Sequence, residues 1–252
     1  HVVGYLSGPL RTSAPTTKAL HLTAIRQVYK ALVVAEVVDS NPAREVGLPR
    51  AGQSPRAPIL SERHLRSMVI AARRWTRDES WVGQRDILLL LLLIGLGWRA
   101  SEIVRIKVDD LIGGPTGNQA IRTRVKGGKV GSVSVPAWLA SYISSWVAAN
   151  PHGARDKPLL SRYAYSTSIL TRIHAWRVVK RAAIEADVPI ELATPHAIRR
   201  AYITITGQRG VSLEDRQAAV LHSRSTTTAG YDKAVKGLGP PPGDVLEDLI
   251  NE

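Results

Sequence analysis

Apolar side chains recur at helical spacing across Thr16 to Val38, at Leu20, Leu22, Ile25, Val28, Tyr29 and Leu32, with Arg26 and Lys30 on other faces. That periodicity predicts an amphipathic helix. Asn41-Pro42 breaks it, because proline has no amide proton and disfavours helix in the residue before it. A short helix is predicted to restart at Pro42 and reach Val46, with proline in its first turn. The next stretch, LPRAGQSPRAP over residues 48–58, holds three prolines, a glycine and two arginines and has no apolar period, so it reads as a linker.

A larger region follows. Ser61, Glu62 and Arg63 open a predicted helix that runs to about Arg74. A second passes through the apolar run Ile87 to Ile94 into Gly95-Leu-Gly97, and a third covers Arg99 to Ile106. Gln119 to Val125 and Val130 to Val135 are short Thr/Val/Ile-containing segments on either side of Lys126-Gly-Gly-Lys129, a β-hairpin signal, since paired glycines permit the positive φ of a tight turn. Helical spacing resumes at about Ala137–Ala149, Thr167–Ala186, Pro195–Thr206 and Leu213–Leu221. After the stiff spacer Gly239-Pro-Pro-Pro-Gly243, an acidic tail places Val245, Leu246, Leu249 and Ile250 at helical spacing. The expected fold class is mainly α with a small β-sheet (α+β). The expected domains are a helical region over 1–47, the linker, a main domain over 59–238 and a tail helix over 239–252.

Charge changes this picture. Lys and Arg number 34 against 21 acidic residues, a net +13, and such an excess attracts polyanions, chiefly nucleic acid, because each neutralised phosphate releases condensed counterions. The two linker arginines suit a phosphate backbone. The absence of cysteine excludes disulfides, thiolate metal sites and cysteine nucleophiles. The longest apolar run is too short to span a bilayer, and no signal peptide is visible. A soluble, intracellular protein is therefore expected. The chain opens at His1 rather than Met, which reads as a fragment lacking its natural start.

Four short segments carry candidate chemistry. In Thr194-Pro-His-Ala-Ile-Arg-Arg200, Thr194 suits an N-cap and Pro195 a first turn, so His196 and Arg199 share one face near a helix N-terminus. That combination suits a phosphate, although a surface His/Arg pair has the same spacing. Arg99 follows the apolar helix in GLGWRASE, with Glu102 placed to brace the next turn or to orient a guanidinium; an exposed ion pair at a helix start is the plainer reading. Lys126 sits at the hairpin tip with Lys129, able to reach a DNA groove or a leaving oxygen, or simply solvated. His222 precedes Tyr231 across a Ser/Thr-rich stretch, and Tyr231 lies in polar surroundings without an obvious core role.

In order, Arg99, Lys126, His196-x-x-Arg199, His222 and Tyr231 resemble the catalytic series of the tyrosine recombinases, the Xer and phage-integrase family. GLGWRASEI resembles the family's Gly-Leu-Arg-x-x-Glu box, TPHAIRRA its Thr-Pro-His-x-x-Arg-His box, and VLHSRSTTTAGYD its Gly-His-Ser box ending in Tyr. DSNPAREV matches the Asn-Pro-Ala element that ends the family's DNA-clamping helical domain. The likeness runs from about Thr16 to Tyr231. Arg200 stands where the family has His, and Leu221 where it has Gly; neither change removes a catalytic group. The helical region before the linker is shorter than the family's, so the resemblance implies a catalytic domain preceded by a partial clamp.

The resemblance also implies a mechanism. Tyr231 attacks the scissile phosphate to give a 3′-phosphotyrosyl DNA and a free 5′-hydroxyl. Arg99 and Arg199 stabilise the nonbridging oxygens, and His222 adds a hydrogen bond. His196 is the candidate base for a phenol whose ordinary pKa is about 10, and Lys126, favoured over Lys129, protonates the leaving oxygen. No cofactor or metal is implied, because the phosphodiester energy is kept in the tyrosyl link. The implied partners are a double-stranded DNA recombination site and further copies of the chain, as a tetramer on two duplexes joined through the tail. A cytoplasmic, nucleoid-associated location goes with them. The competing readings are a type IB topoisomerase, which uses a similar residue set, and a non-catalytic DNA-binding relative. A metal hydrolase built on His196 and His222 lacks the carboxylate cluster it needs.

Overall fold

The computed structural model describes residues 1–47, 59–77, 80–113, 119–124, 130–149, 157–164, 166–220 and 241–250. The chain divides into two compact units, His1–Ala57 and Pro58–Glu252. The 48–58 linker expectation lies outside the described residues.

The first unit holds α1 (Val2–Ser7) and α2 (Pro15–Val34), the latter opening on proline, whose missing amide is not needed in a first turn. Its core is small: Leu6, Leu22 and Ala43, with Val2, Leu10, Ile25 and Val46 packed against them. Leu20 and Val28, which the periodicity groups with the buried face, are 69% and 59% exposed. The short helix expected over Pro42–Val46 does not form. Asn41 instead builds a turn, accepting from the Ala43 amide at 2.9 Å while its Nδ2 donates to the Arg26 carbonyl at 3.1 Å. The Arg26 guanidinium then donates to the carbonyls of Ala43 and Val46 at 2.9 and 2.8 Å. Those carbonyls are thereby satisfied outside a helix, which removes the reason to coil.

The second unit is organised around one apolar helix. Its first helix, α3 (Glu62–Arg73), is closed by a capping box in which Ser61 Oγ accepts from the His64 amide and His64 Nδ1 accepts from the Ser61 amide. After a 3-10 turn over Arg74–Thr76, α4 (Trp81–Leu96) begins on Ser80, whose Oγ accepts from the Gly83 amide at 3.0 Å. From Ile87 to Leu96 every residue of α4 is buried. A helix that is apolar all round belongs at the centre of a domain, and α4 packs against α3 and against α6 (Ala137–Ala149), α7 (Arg172–Glu185) and α8 (Pro195–Gln208).

Two helices are shorter than their patterns predict. Arg99–Ile106 yields only α5, Ala100–Ile103, because Ile106 and Lys107 pair instead with the 157–159 segment: Leu159 donates to the Ile106 carbonyl at 2.7 Å, and Lys107 bridges Pro158. Thr167–Thr171 is not helical, with Ser161 bridging Ile169 and Arg162 donating to the Ser168 carbonyl, so α7 starts only after its cap, Thr171. The hairpin strands form as β2 (Ala120–Arg124) and β3 (Val130–Ser134), antiparallel from Ala120↔Ser134 to Arg124↔Val130. A third strand absent from the pattern, β1 (Leu111–Ile112), pairs with β2. The fold is thus mainly helical with one three-stranded antiparallel sheet. Among the described residues no helix is long and apolar enough to cross a membrane.

The tail folds as a 3-10 helix, Pro242–Leu249, rather than an α-helix, and it packs on its own unit. Leu246, Leu249 and Ile250 are buried in the main core. Trp138 Nε1 donates to the Gly243 carbonyl at 3.0 Å, and the Ala137 amide donates to Asp244 Oδ1 at 3.0 Å. An added Cβ at Gly243 would meet the Gly95 carbonyl at 2.2 Å, so only glycine permits this approach.

Candidate active site

The end of α4 determines where the first arginine stands. Gly97 closes the helix with φ 60°, its amide donating to the Leu93 carbonyl at 3.1 Å, the left-handed cap that glycine supplies without strain. Its bare Cα lies against the buried ring of Tyr202, where an added Cβ would sit 2.4 Å from a ring carbon. Trp98 then turns inward, 1% exposed, with Nε1 donating to the Ala219 carbonyl at 2.8 Å. Arg99 follows with extended backbone at the start of α5. Its amide donates to Glu102 Oε2 at 2.6 Å and its Nη1 to Glu102 Oε1 at 2.9 Å, while half of the side chain stays open to solvent (50% exposed).

The second arginine comes from α8. Thr194 caps that helix, its Oγ1 accepting from the Ala197 amide at 3.0 Å, and Pro195 occupies the first turn. His196 is exposed on that turn, and Arg199, one turn further, points into the core at 3% exposure. Arg199 Nη1 donates to the Gly97 carbonyl at 2.9 Å and Nη2 to the Val220 carbonyl at 2.7 Å. Its nearest carboxylate oxygen, Glu102 Oε2, lies 3.8 Å away. Burial pushes the guanidinium's pKa below its ordinary value, the neighbouring Arg99 pushes the same way, and Glu102 opposes both.

Arg99 and Arg199 therefore share one carboxylate: two cations to one anion, in a partly enclosed place. Charge neutrality there calls for a further anion, and guanidinium forks suit the oxygens of a phosphodiester. The arrangement also fixes the chain at Ala219 and Val220, the end and C-cap of α9 (Leu213–Ala219), through Trp98 and Arg199. Three sequence-selected residues, Arg99, His196 and Arg199, fall within the described residues. Lys126 at the hairpin tip, its alternative Lys129, His222 and Tyr231 lie outside them. Sequence reasoning missed Trp98 and the two carbonyl acceptors; the only sequence signal for Trp98 is its place between the helix-ending Gly97 and Arg99. Glu102 was visible as a possible brace of a guanidinium, but its sharing between two was not. Among the described residues, no cluster of three or more His, Cys, Asp or Glu could hold a metal ion.

Known proteins resemble this chain in sequence and in fold. Residues 60–236 match the model of the phage integrase family. Tyrosine recombinase XerC of Erythrobacter litoralis is 27% identical over 220 residues, covering 86% of this chain and 68% of the relative. Tyrosine recombinase XerA of Thermococcus kodakarensis is 31% identical over 150 residues, covering 60% of this chain and 51% of the relative. Among solved structures, the post-cleavage complex of the XerH site-specific recombinase bound to palindromic difH substrate superposes with a TM-score of 0.68 at 19% identity, over 91% of this chain and 66% of that one. Lambda integrase residues 75–356 bound to DNA gives 0.63 at 13% identity, over 94% of this chain and 81% of that one. The likeness to these structures is one of fold. The chain spans about two thirds of the length of the XerC relative and of the XerH structure. With the family model matching most of its length, this chain belongs to the phage integrase family of tyrosine recombinases.

Proposed function

We propose that the chain is a site-specific recombinase that cleaves and rejoins DNA through a 3′-phosphotyrosyl intermediate. The observation that carries this reading is the pair of guanidiniums on a single carboxylate, Arg99 at 2.9 Å and Arg199 at 3.8 Å from Glu102. Phosphoryl transfer places negative charge on the nonbridging oxygens, and fixed donors in a partly desolvated site stabilise it without reorganising. Arg199 is anchored by backbone carbonyls, so its charge is positioned but not neutralised. Tyr231 is assigned as nucleophile, forming the new P–O bond as the 5′-oxygen leaves. His196 accepts the phenol proton, Lys126 delivers one to the departing oxygen, and His222 donates to a nonbridging oxygen. Rejoining reverses these steps with a 5′-hydroxyl from the same or a partner duplex.

The test is a nicked duplex whose cleaved fragment diffuses away, trapping the adduct. The wild-type chain accumulates covalent DNA, and Tyr231→Phe binds the same duplex with unchanged affinity but forms none. An adduct that persists in Tyr231→Phe removes the nucleophile assignment.

Assembly as a tetramer on two duplexes, coupled by exchange of the tail, belongs to the same proposal. Its support is the character of the docking site. Three buried apolar side chains fill it, and Arg209 donates to Asp248 at 2.5 Å and to the Val245 carbonyl. A neighbouring copy offers the same apolar and charged groups. Deleting residues 240–252 should weaken assembly on paired sites more than binding to one site; equal assembly with and without the tail would rule out the exchange.

A further inference from the structure

The first turns of α4 bury an ion pair that the cleavage chemistry does not use. Arg85 donates to Asp86 Oδ1 through Nε at 2.9 Å and Nη2 at 2.7 Å. Their side chains are only 2% and 8% exposed. Enclosing two charges costs several kcal/mol per ion unless further groups satisfy them, and here those groups come from elsewhere in the unit. Arg85 Nη1 donates to the Arg162 carbonyl at 2.8 Å and reaches that of Ser161 at 3.4 Å, while the guanidinium lies 5.1 Å from the centre of the Trp81 ring. His174 Nε2 stands 2.8 Å from Arg85 Nη2 and 3.1 Å from Asp86 Oδ1. The site lies eleven residues before the end of α4, roughly 16 Å along its axis from the arginine pair, so it touches no reacting atom.

What the pair holds is more informative than the pair itself. His174 is in the first turn of α7, where its amide also donates to the cap, Thr171 Oγ1, at 3.2 Å. Arg162 begins the bend that the Arg85 guanidinium grips by its carbonyls. One buried cation thus ties two surface segments to the central helix. Their outer sides carry an unusual mixture: Tyr163, Ile173 and Trp176 are 58%, 64% and 47% exposed, and Arg162, Arg172 and Arg177 are exposed among them. From residue 157 to 184 the chain has six Lys or Arg and no carboxylate. A cationic surface with aromatic and aliphatic side chains suits a duplex, whose phosphates take the charge and whose groove edges take the apolar groups.

We propose that Arg85, Asp86 and His174 are positioning residues that hold the 161–163 bend and the first turn of α7 as one DNA-contacting platform, with Arg162, Arg172, Ile173 and Trp176 on its outer side. This assignment rests on the DNA-cleaving reading above and adds to it the means by which part of the binding surface is fixed. The buried pair acts through the platform and not at the phosphate, so it governs affinity while the chemical step on bound DNA is unchanged.

A double-mutant cycle on duplex affinity tests it, because residues coupled through one rigid element fail to add. Arg172→Ala should weaken binding about tenfold, as expected for lost backbone or base contact. His174→Ala, at a partly exposed position, should weaken it about fivefold. The double variant should bind no more weakly than Arg172→Ala alone, whereas His174→Ala combined with Arg122→Ala, an exposed side chain of β2, should give the simple product. Asp86→Asn repeats the cycle from the buried side. Adduct formation at saturating duplex stays within about twofold of wild type in His174→Ala. Simple multiplication of the His174 and Arg172 effects, or full affinity in Arg172→Ala, overturns the platform; full affinity there would point to another partner for this surface. Failure of the wild-type chain to form an adduct at all would instead fall on the DNA-cleaving reading, so the two outcomes are distinguishable.

Discussion

Arg199 and Arg209 lie ten residues apart, one inside α8 and one just past its end, and their surroundings differ in kind. Arg199 is buried, its guanidinium bonded to the carbonyls of Gly97 and Val220, and its pKa is pushed down by burial and by Arg99. Arg209 is bonded to two carboxylates, Glu62 at 2.8 Å and Asp248 at 2.5 Å, and its pKa is pushed up by those hydrogen bonds. Around the first there are two cations for one carboxylate; around the second, two carboxylates bond directly to Arg209, with Arg66 3.8 Å from Asp248, so the charges balance. A charge held by neutral dipoles stays available to an incoming anion, and a charge held by carboxylates does not. The same residue type thus leaves a cation on neutral dipoles inside the helix and clasps the tail just past its end.

The largest expected effect breaks the first half of that comparison. Arg199→Ala should lower the single-turnover rate of adduct formation on a nicked duplex by about a hundred- to a thousandfold, the usual cost of losing one preorganised donor. It should also lose about 1–3 kcal/mol of stability through each buried carbonyl left without a partner, measurable by denaturant unfolding. Glu102→Gln sharpens the same half: both guanidiniums keep their charge but lose the carboxylate that orients them. Adduct formation should fall about tenfold with duplex affinity undiminished, because a charge-assisted hydrogen bond of about 1.5 kcal/mol is lost.

On the other side of the comparison, Arg209→Ala should release the tail without touching the chemistry. Amide exchange over residues 241–250 should speed up about tenfold, while adduct formation on a single site stays within about twofold. The smallest effect is one of pH. Arg209 holds the carboxyls of Glu62 and Asp248 below their ordinary values of 4.5 and 3.8. Groups of that kind add stability above those values and lose it as pH falls through the lowered ones. Asp244, pushed up chiefly by burial, runs the opposite way and relieves a cost on protonation. The difference in thermal midpoint between wild type and Arg209→Ala should therefore be constant at neutral pH and shrink only below about pH 4; a gap that widens in acid would contradict the clasp.

The parts of this fold that were readable in the sequence are those fixed locally. Ser61 and Thr194 announce their helices because a cap needs only its own next turn, and the run Ile87 to Ile94 announces a buried helix because no solvated face remains. The hairpin strands follow from paired glycines between short β-forming segments. Where distant segments compete, local pattern fails. Ile106 and Lys107 leave the helical register because the 157–159 backbone pairs with them, and Pro42–Val46 stays uncoiled because Arg26, well upstream, takes its carbonyls. The candidate site divides in the same way. Arg99, His196 and Arg199 stood out by motif and order, whereas the carbonyl anchors of Arg199 depend on α4, α8 and α9 meeting, which no spacing encodes. Nothing in the local pattern marks the Arg85–Asp86 pair, because the His174 that meets it comes nearly ninety residues later.

Replacing the scissile phosphate with an uncharged methylphosphonate tests most directly whether Arg99 and Arg199 neutralise its charge. With one nonbridging oxygen's charge removed, Arg99→Ala and Arg199→Ala should recover strand cleavage toward the wild-type rate on the same neutral linkage, the need for a countercharge having gone. If both variants remain as impaired on the neutral linkage as on the ordinary phosphate, the two guanidiniums do not act on that charge.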